Sequence, residues 1–352
     1  MSLPLISILI PTYNRADWLA TALQSAVEQE TAGRFTLEVI VSDNDSSDHT
    51  RETVHEFAAT TEVPVKYVHA TRSGDAQARN AGLPHCEGDW IAFMDDDELA
   101  KADWLQKLLE VALQDHAQLV GGAVHLDLPP EEVNQLSLDV RRSLRERSPD
   151  TCQGGTRPFT EREVPGMGNL LIAREVLNHL VEFDETVVSS DYDFFVRARR
   201  AGFASWFAPE AIIYHRTPET RLSQEFIDWD SYRSGAMLAI FDEKYGGRRK
   251  LLKWMLLRAG QGALVTFPKW LRAKITGNTQ LAVDVRIRGQ RLAGYTRGFF
   301  TLIAPRWFSQ HSLDERIDFL KGRLIGKNTP APPEAVAKAF QEPAVQAQEV
   351  GV

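Results

Sequence analysis

Ile6-Ser7-Ile8-Leu9-Ile10-Pro11-Thr12-Tyr13-Asn14-Arg15 is the stretch on which the reading of the fold turns. The β-branched and aliphatic run from Ile6 to Ile10 stops at Pro11, the pattern of a parallel strand buried on both faces. A helix is expected next: Asn14 is a capping residue, and Trp18, Leu19, Leu23, Ala26 and Val27 recur at helical spacing through Glu28. The alternation repeats downstream, with strands over 37–41, 65–68 and 90–94 and helices over 50–59, 76–83 and 104–113. Strand and helix in turn imply an α/β fold with a doubly wound parallel sheet. Ligands of such sheets bind beyond the carboxyl ends of the strands, so the segments just after Ile10, Val41, Val68 and Met94 are the candidates for a site.

Beyond a strand over 119–124 the pattern loosens into a polar insertion, 127–162, with one amphipathic helix near 131–147. Order resumes with a strand over 166–172, helices over 175–180 and 192–201, and a short strand over 211–214. After Leu222 the chain reads as helical, with breaks near Gly246, Pro268 and Gly277. Three parts are therefore expected: a catalytic α/β domain over 1–222, a basic helical region over 223–327, and a disordered Pro-, Ala-, Gln- and Glu-rich tail over 328–352.

Two cysteines, Cys86 and Cys152, are too few for a disulfide framework, and the chain shows neither a signal-peptide pattern nor an apolar run of about 18 residues. The expected compartment is the cytoplasm. A formal net charge of −8 argues against a dedicated nucleic-acid binder. The charge is uneven: between Arg248 and Arg306 thirteen basic residues face one acid, Asp284, so this segment carries +12 and the remainder −20. Around Leu251–Arg272, Trp and Leu interleave with Lys and Arg, the composition of a helix that lies on an anionic membrane surface or of one that packs on a core. The first alternative makes the protein peripheral on the cytoplasmic membrane face.

Asp95-Asp96-Asp97-Glu98, directly after a buried strand, serves no folding purpose, because clustered carboxylates repel. Such a run suits a hard cation with oxygen ligands, and in an extended stretch Asp95 and Asp97 would point to the same side. A second cluster, Asp43-Asn44-Asp45-Ser46-Ser47-Asp48, comes after strand 37–41. Asp48 and the serines suit a helix cap, whereas Asp43 stands where an acceptor meets the imide proton of a uracil ring. Arg79 offers a guanidinium near the same edge.

In order and spacing, Ile8–Arg15, Val41–Asp48, Ala78–Leu83 and Asp95–Asp97 resemble the successive motifs of glycosyltransferase family 2. Gly166–Leu171, Phe183–Glu185, Ser190–Asp193 and Ala208–Ala211 continue the resemblance through roughly residue 245. The Asp-Asn-Asp and Asp-Asp-Asp-Glu variants are most similar to the branch containing succinoglycan and other exopolysaccharide glucosyltransferases. The resemblance implies a GT-A type fold, mostly parallel in its sheet, with a C-terminal helical extension. It also implies transfer with inversion from a nucleoside diphosphate sugar, UDP-glucose or similar, to a glycan or lipid-linked oligosaccharide.

Carried over by motif, Pro11, Thr12, Asn14, Asp43, Arg79, Asp95 and Asp96 would contact the nucleotide sugar. Asp95 and Asp97, with His215, would hold Mg²⁺ or Mn²⁺, and Asp191 would be the general base. Asp193 is a second candidate base or a structural partner, and Asp191 doubles as a possible helix cap. Where relatives often have Glu before the base, this chain has Ser190. The Gln/Arg-x-x-Arg-Trp motif of processive synthases is missing, Trp229 and Arg233 occurring in reverse order. A nucleotidyltransferase on a similar sheet would need a glycine-rich basic loop after the first strand, and Pro11–Arg15 has no glycine. A non-catalytic sugar-nucleotide binder is the other alternative, and intact Asp95, Asp97 and Asp191 speak against it.

Overall fold

A computed structural model describes residues 3–308 apart from 73, 153, 162 and 188, with two-residue strands at Ile317–Asp318 and Arg323–Leu324. The tail expected over 328–352 lies outside the described residues. The first part of the chain runs β1 (Leu5–Thr12), α1 (Ala16–Val27), β2 (Thr36–Asp43), α2 (Thr50–Ala58), β3 (Val65–His69), α3 (Asp75–Gly82), β4 (Trp90–Phe93), β5 (Glu98–Ala100), α4 (Trp104–Gln114) and β6 (Leu119–Asp127). Then come α5 (Pro130–Gln135), α6 (Leu138–Ser143), α7 (Pro149–Cys152), β7 (Arg157–Pro158), β8 (Leu170–Ala173), α8 (Arg174–Leu180), α9 (Ser190–Arg200) and β9 (Ser205–Arg216). The C-terminal helices are α10 (Gln224–Gln261), α11 (Phe267–Thr276) and α12 (Thr279–Ile303).

The sheet order is β3-β2-β1-β4-β8-β6-β9-β5, with β7 on β9. β3, β2, β1 and β4 are mutually parallel, β8 enters antiparallel between β4 and β6, and β6 pairs parallel with β9. This is the mostly parallel GT-A type sheet. Alternate residues feed two cores: Ile6, Ile8 and Ile10 join Leu19, Leu23, Trp104 and Leu108 on one face, while Leu9 joins Ile91, Phe93, Val176 and Phe194 on the other. Both faces being covered explains why β1 is aliphatic at consecutive positions.

The chain forms two compact units, Met1–Asp127 with Arg145–Arg216, and Leu128–Leu144 with Thr217–Val352. In the second, α12 packs along α10, and Tyr295 donates to Asp242 at 2.8 Å. The residues read as one helix near 131–147 form α5 and α6 instead: Leu136 is extended, and the Ser137 hydroxyl accepts from Val140 N to start α6. Both short helices belong to this second unit, where Arg288 reaches Asp139 at 2.8 Å. The expected breaks fall as a kink at Gly247, a π-helical turn Gly262–Thr266 ahead of Pro268, and a left-handed Gly277 ending α11. No helix among the described residues is long and apolar enough to cross a membrane.

Candidate active site

The carboxyl ends of β1, β2 and β4 meet at three loops. Asn14, at φ 49°, turns the chain after β1. The sequence suggested that Asn14 caps α1, but its side chain accepts from Ser47 N at 2.7 Å and so holds the loop after β2. The cap comes from that loop: Asp48 accepts from Ala16 N at 3.2 Å while also accepting from Thr50 N at the start of α2. Asp43 is buried at the end of β2, with one oxygen on Ser46 N at 3.0 Å and the other accepting from the Tyr67 hydroxyl at 2.6 Å. Its position is thus fixed from two sides.

The acid run is a turn closed by Glu98 N to Asp95 O at 3.2 Å, not an extended stretch, so the expected pairing of Asp95 with Asp97 is corrected. Asp96 and Asp97 instead share Arg15, whose guanidinium donates to Asp96 Oδ1 at 2.7 Å and Asp97 Oδ2 at 3.0 Å. Thr12 donates to the second Asp96 oxygen at 2.9 Å. Burial works against charge on Arg15, but Asp96 and Asp97 raise its pKa further than burial lowers it. Arg15 does not stand out in the sequence: it falls at the end of Ile8–Arg15, where an arginine at a helix start reads as a surface residue.

Asp95 faces the other way. Its Oδ1 lies 3.5 Å from the buried Arg79, which also bonds Asp75 and rests over the Phe183 ring. Withdrawal from bulk water pushes the Asp95 pKa up to about 7, Arg79 opposing and Asp97 reinforcing the shift. Burial likewise disfavours charge on Arg79, but Asp75, Asp95 and Asp191 keep its pKa raised. Arg79 Nε is buried with no hydrogen-bond partner among the described residues. The neighbouring Asn80 clamps Phe183 by exchanging two hydrogen bonds with its backbone, at 2.9 and 2.8 Å, which positions that ring.

Asp191 stands in the first turn of α9, partly exposed. No hydrogen bond or ion pair engages it among the described residues, although its charge reaches Arg79. Asp193 is fully buried and accepts from Arg197 Nε at 2.7 Å, a structural partner of its own helix. His215, near the end of β9, is buried with Nε2 3.6 Å from Asp97 Oδ2, brought there because Glu98 in β5 pairs with His215.

No three His, Cys, Asp or Glu side chains converge as a ready metal cage among the described residues. A carboxylate and an imidazole, Asp97 and His215, do converge, and Mg²⁺ sites typically combine one or two carboxylates with substrate phosphates. Around them Asp75, Asp95, Asp96, Glu98 and Asp191 lie close to the guanidiniums of Arg15 and Arg79, acids outnumbering the cations named with them. The donor set and this charge imbalance fit a divalent cation.

The glycosyl transferase family 2 model matches residues 7–160. Succinoglycan biosynthesis protein ExoM of Rhizobium meliloti (strain 1021) is 32% identical over 279 residues, covering 76% of this chain and 86% of that protein. ExoO of the same organism, also a succinoglycan biosynthesis protein, is 29% identical over 227 residues, 60% of this chain and 61% of its own. Mannosyltransferase PcManGT from Pyrobaculum calidifontis, solved in complex with GDP-Man and Mn²⁺, matches with a TM-score of 0.58 at 18% identity, covering 85% of this chain and 88% of that one. At that identity the structural likeness speaks for the GT-A fold alone.

Proposed function

This chain belongs to glycosyltransferase family 2, and from that premise we propose an inverting, non-processive transferase acting in cell-surface polysaccharide synthesis. Its donor is a nucleoside diphosphate sugar, UDP-glucose being the first to test, and its acceptor a glycan or lipid-linked oligosaccharide at the cytoplasmic membrane face. Asp191 carries this reading: an open carboxylate on a helix start, beside the Arg79–Asp95 pair. An acceptor hydroxyl gives its proton to Asp191 as its oxygen bonds the anomeric carbon, and the bond from that carbon to the diphosphate breaks with the electron pair leaving on the diphosphate.

Thr12 and Asp43 take the nucleoside in this reading, with Pro11 and Asn14 shaping the loop around it. Arg79, Asp95 and Asp96 lie toward the ribose and diphosphate. Asp97 and His215 would hold Mg²⁺ or Mn²⁺, which when bound would supply positive charge against the departing diphosphate. A nucleotidyltransferase reading is disfavoured because the loop after β1 has no glycine and its one cation, Arg15, is committed to Asp96 and Asp97.

Asp191→Asn keeps the shape and loses the basicity. Turnover is expected to fall by at least about a hundredfold, while UDP affinity measured by calorimetry with Mn²⁺ changes little. NMR of the product should show the anomeric configuration inverted relative to the donor. Turnover equal to the parent's, or a retained configuration, would remove Asp191 from the role. Absence of transfer together with tight UDP binding in the parent would favour a non-catalytic binding protein.

A further inference from the structure

An amphipathic helix that serves a core turns its apolar stripe inward. In α11 and the turn before it the stripe points outward: Leu264 is 80% exposed, Phe267 60% and Ile275 76%, with Trp270 and Leu271 between them, and Ala273 alone is buried on α11. These apolar positions recur at steps of three and four, so they form one continuous face. Phe267 and Trp270 stack at 5.6 Å, and the Lys274 ammonium sits 4.5 Å from the Trp270 ring. Lys269, Arg272 and Lys274 make α11 cationic without an acid. Leu252, Leu256 and Leu257 of α10 are exposed as well.

Behind this stripe, the π-helical turn, α11 and α12 enclose a groove of about 800 Å³, lined by Phe267, Trp270, Ala273, Ala282, Val285 and Leu292 with Lys274 beside them. Its size falls among small-molecule sites, which span about 300–1,000 Å³. Gly262 lies where the π turn closes on α12, a Cβ there coming 2.7 Å from the Leu292 side-chain tip.

We propose that this helical unit docks on an anionic lipid bilayer, with α11 lying in the interface and the groove receiving one lipid chain. Charge selects that occupant. The +12 of residues 248–306 repels a second copy of itself, and residues 309–352, with six acids and five bases, are too nearly neutral to match it. An aliphatic stripe through Leu264, Leu271 and Ile275 has no use against nucleic acid, whereas cations flanking Trp and Phe are the pattern of interfacial helices. The proposal deepens the reading of an enzyme that works at a membrane face, and it does not depend on Asp191.

The full-length protein is sedimented with vesicles of phosphatidylcholine alone and with added phosphatidylglycerol, at low and high salt. Binding only to the anionic vesicles, reduced several-fold by salt, is expected. Brominated acyl chains should quench tryptophan fluorescence, and most of that quenching should vanish in Trp270→Phe. Phe267→Ser with Ile275→Ser alters exposed side chains only, so far-UV circular dichroism and UDP affinity should hold while vesicle binding is lost. No binding at any composition, dimerisation through the stripe, or quenching unchanged in Trp270→Phe would overturn the proposal. Failure of the parent to bind any nucleoside diphosphate in the presence of Mn²⁺ would overturn the transferase reading instead and leave the vesicle result standing.

Discussion

Glu98 stands behind the acid turn, accepting from Asp95 N at 2.9 Å, and Gly168 makes room for it: a Cβ there would lie 2.3 Å from its carboxylate. Buried and facing Asp95, Asp97 and Asp96, it has a pKa well above the usual carboxylate range, the backbone hydrogen bond opposing the shift. A carboxyl whose folded pKa exceeds its unfolded value of about 4.3 binds more protons when folded. The stability it contributes is therefore present at low pH and lost as pH rises toward the folded value. Glu98→Gln cannot ionise and retains an acceptor for Asp95 N. Treated with chelator, this variant is expected to melt above the parent at about pH 8, with the difference closing near pH 5. A difference equal at both pH values would trace the effect to packing rather than charge. The same residues show what sequence conveys of a site. The acid run Asp95–Glu98 stood out because clustered carboxylates have no folding task, and Asp43 because of its place at a strand end, whereas Arg79 and Asp191, each with an ordinary surface or capping role open to it, were picked out by the resemblance to the family's motifs. Which cation each acid meets did not show, because the turn at Asp95–Glu98 sends Asp95 to Arg79 and Asp97 to Arg15 and His215.

Among the elements, β1 to β4 and α1 to α4 were legible because aliphatic runs and helical spacing each have one local solution. β5 was not legible, since Glu98–Ala100 becomes a strand only by pairing with β9 far along the chain. The entry of β8 antiparallel between β4 and β6 is likewise a property of tertiary contact. The crossing of α10 and α12 was hidden for the same reason, although its glycines can be tested directly. A Cβ on Gly294 would stand 1.9 Å from Tyr232 O, and one on Gly235 2.1 Å from Arg291 O. Gly294→Ala is expected to lower stability by about 1–3 kcal/mol through overpacking, read from the denaturant midpoint. Gly260→Ala, in the partner helix α10 with open space at its Cβ, should instead gain up to about 1 kcal/mol from helix propensity. Equal effects from the two would mean that close approach of the helices is not what requires Gly294.

At the scale of the molecule, each compact unit has its own buried cluster: Ile8, Leu19, Trp104 and their neighbours in the first, and Ala239, Leu251, Tyr295 and Phe299 in the second. Two cores need not melt together. Every residue assigned to the nucleotide and metal lies in the first unit, and every residue of the lipid groove in the second. A ligand stabilises only what folds with its site, so scanning calorimetry should resolve two transitions with separate ligand responses. UDP with Mn²⁺ is expected to raise one by several degrees and leave the other in place, while Gly294→Ala should lower only the second. This pattern would also separate the two activities, because loss of the nucleotide response in Asp97→Ala should leave the transition of the helical unit unchanged. A single transition that moves as a whole under both perturbations would show the units to be one cooperative structure, in which nucleotide binding and lipid docking become thermodynamically linked through folding.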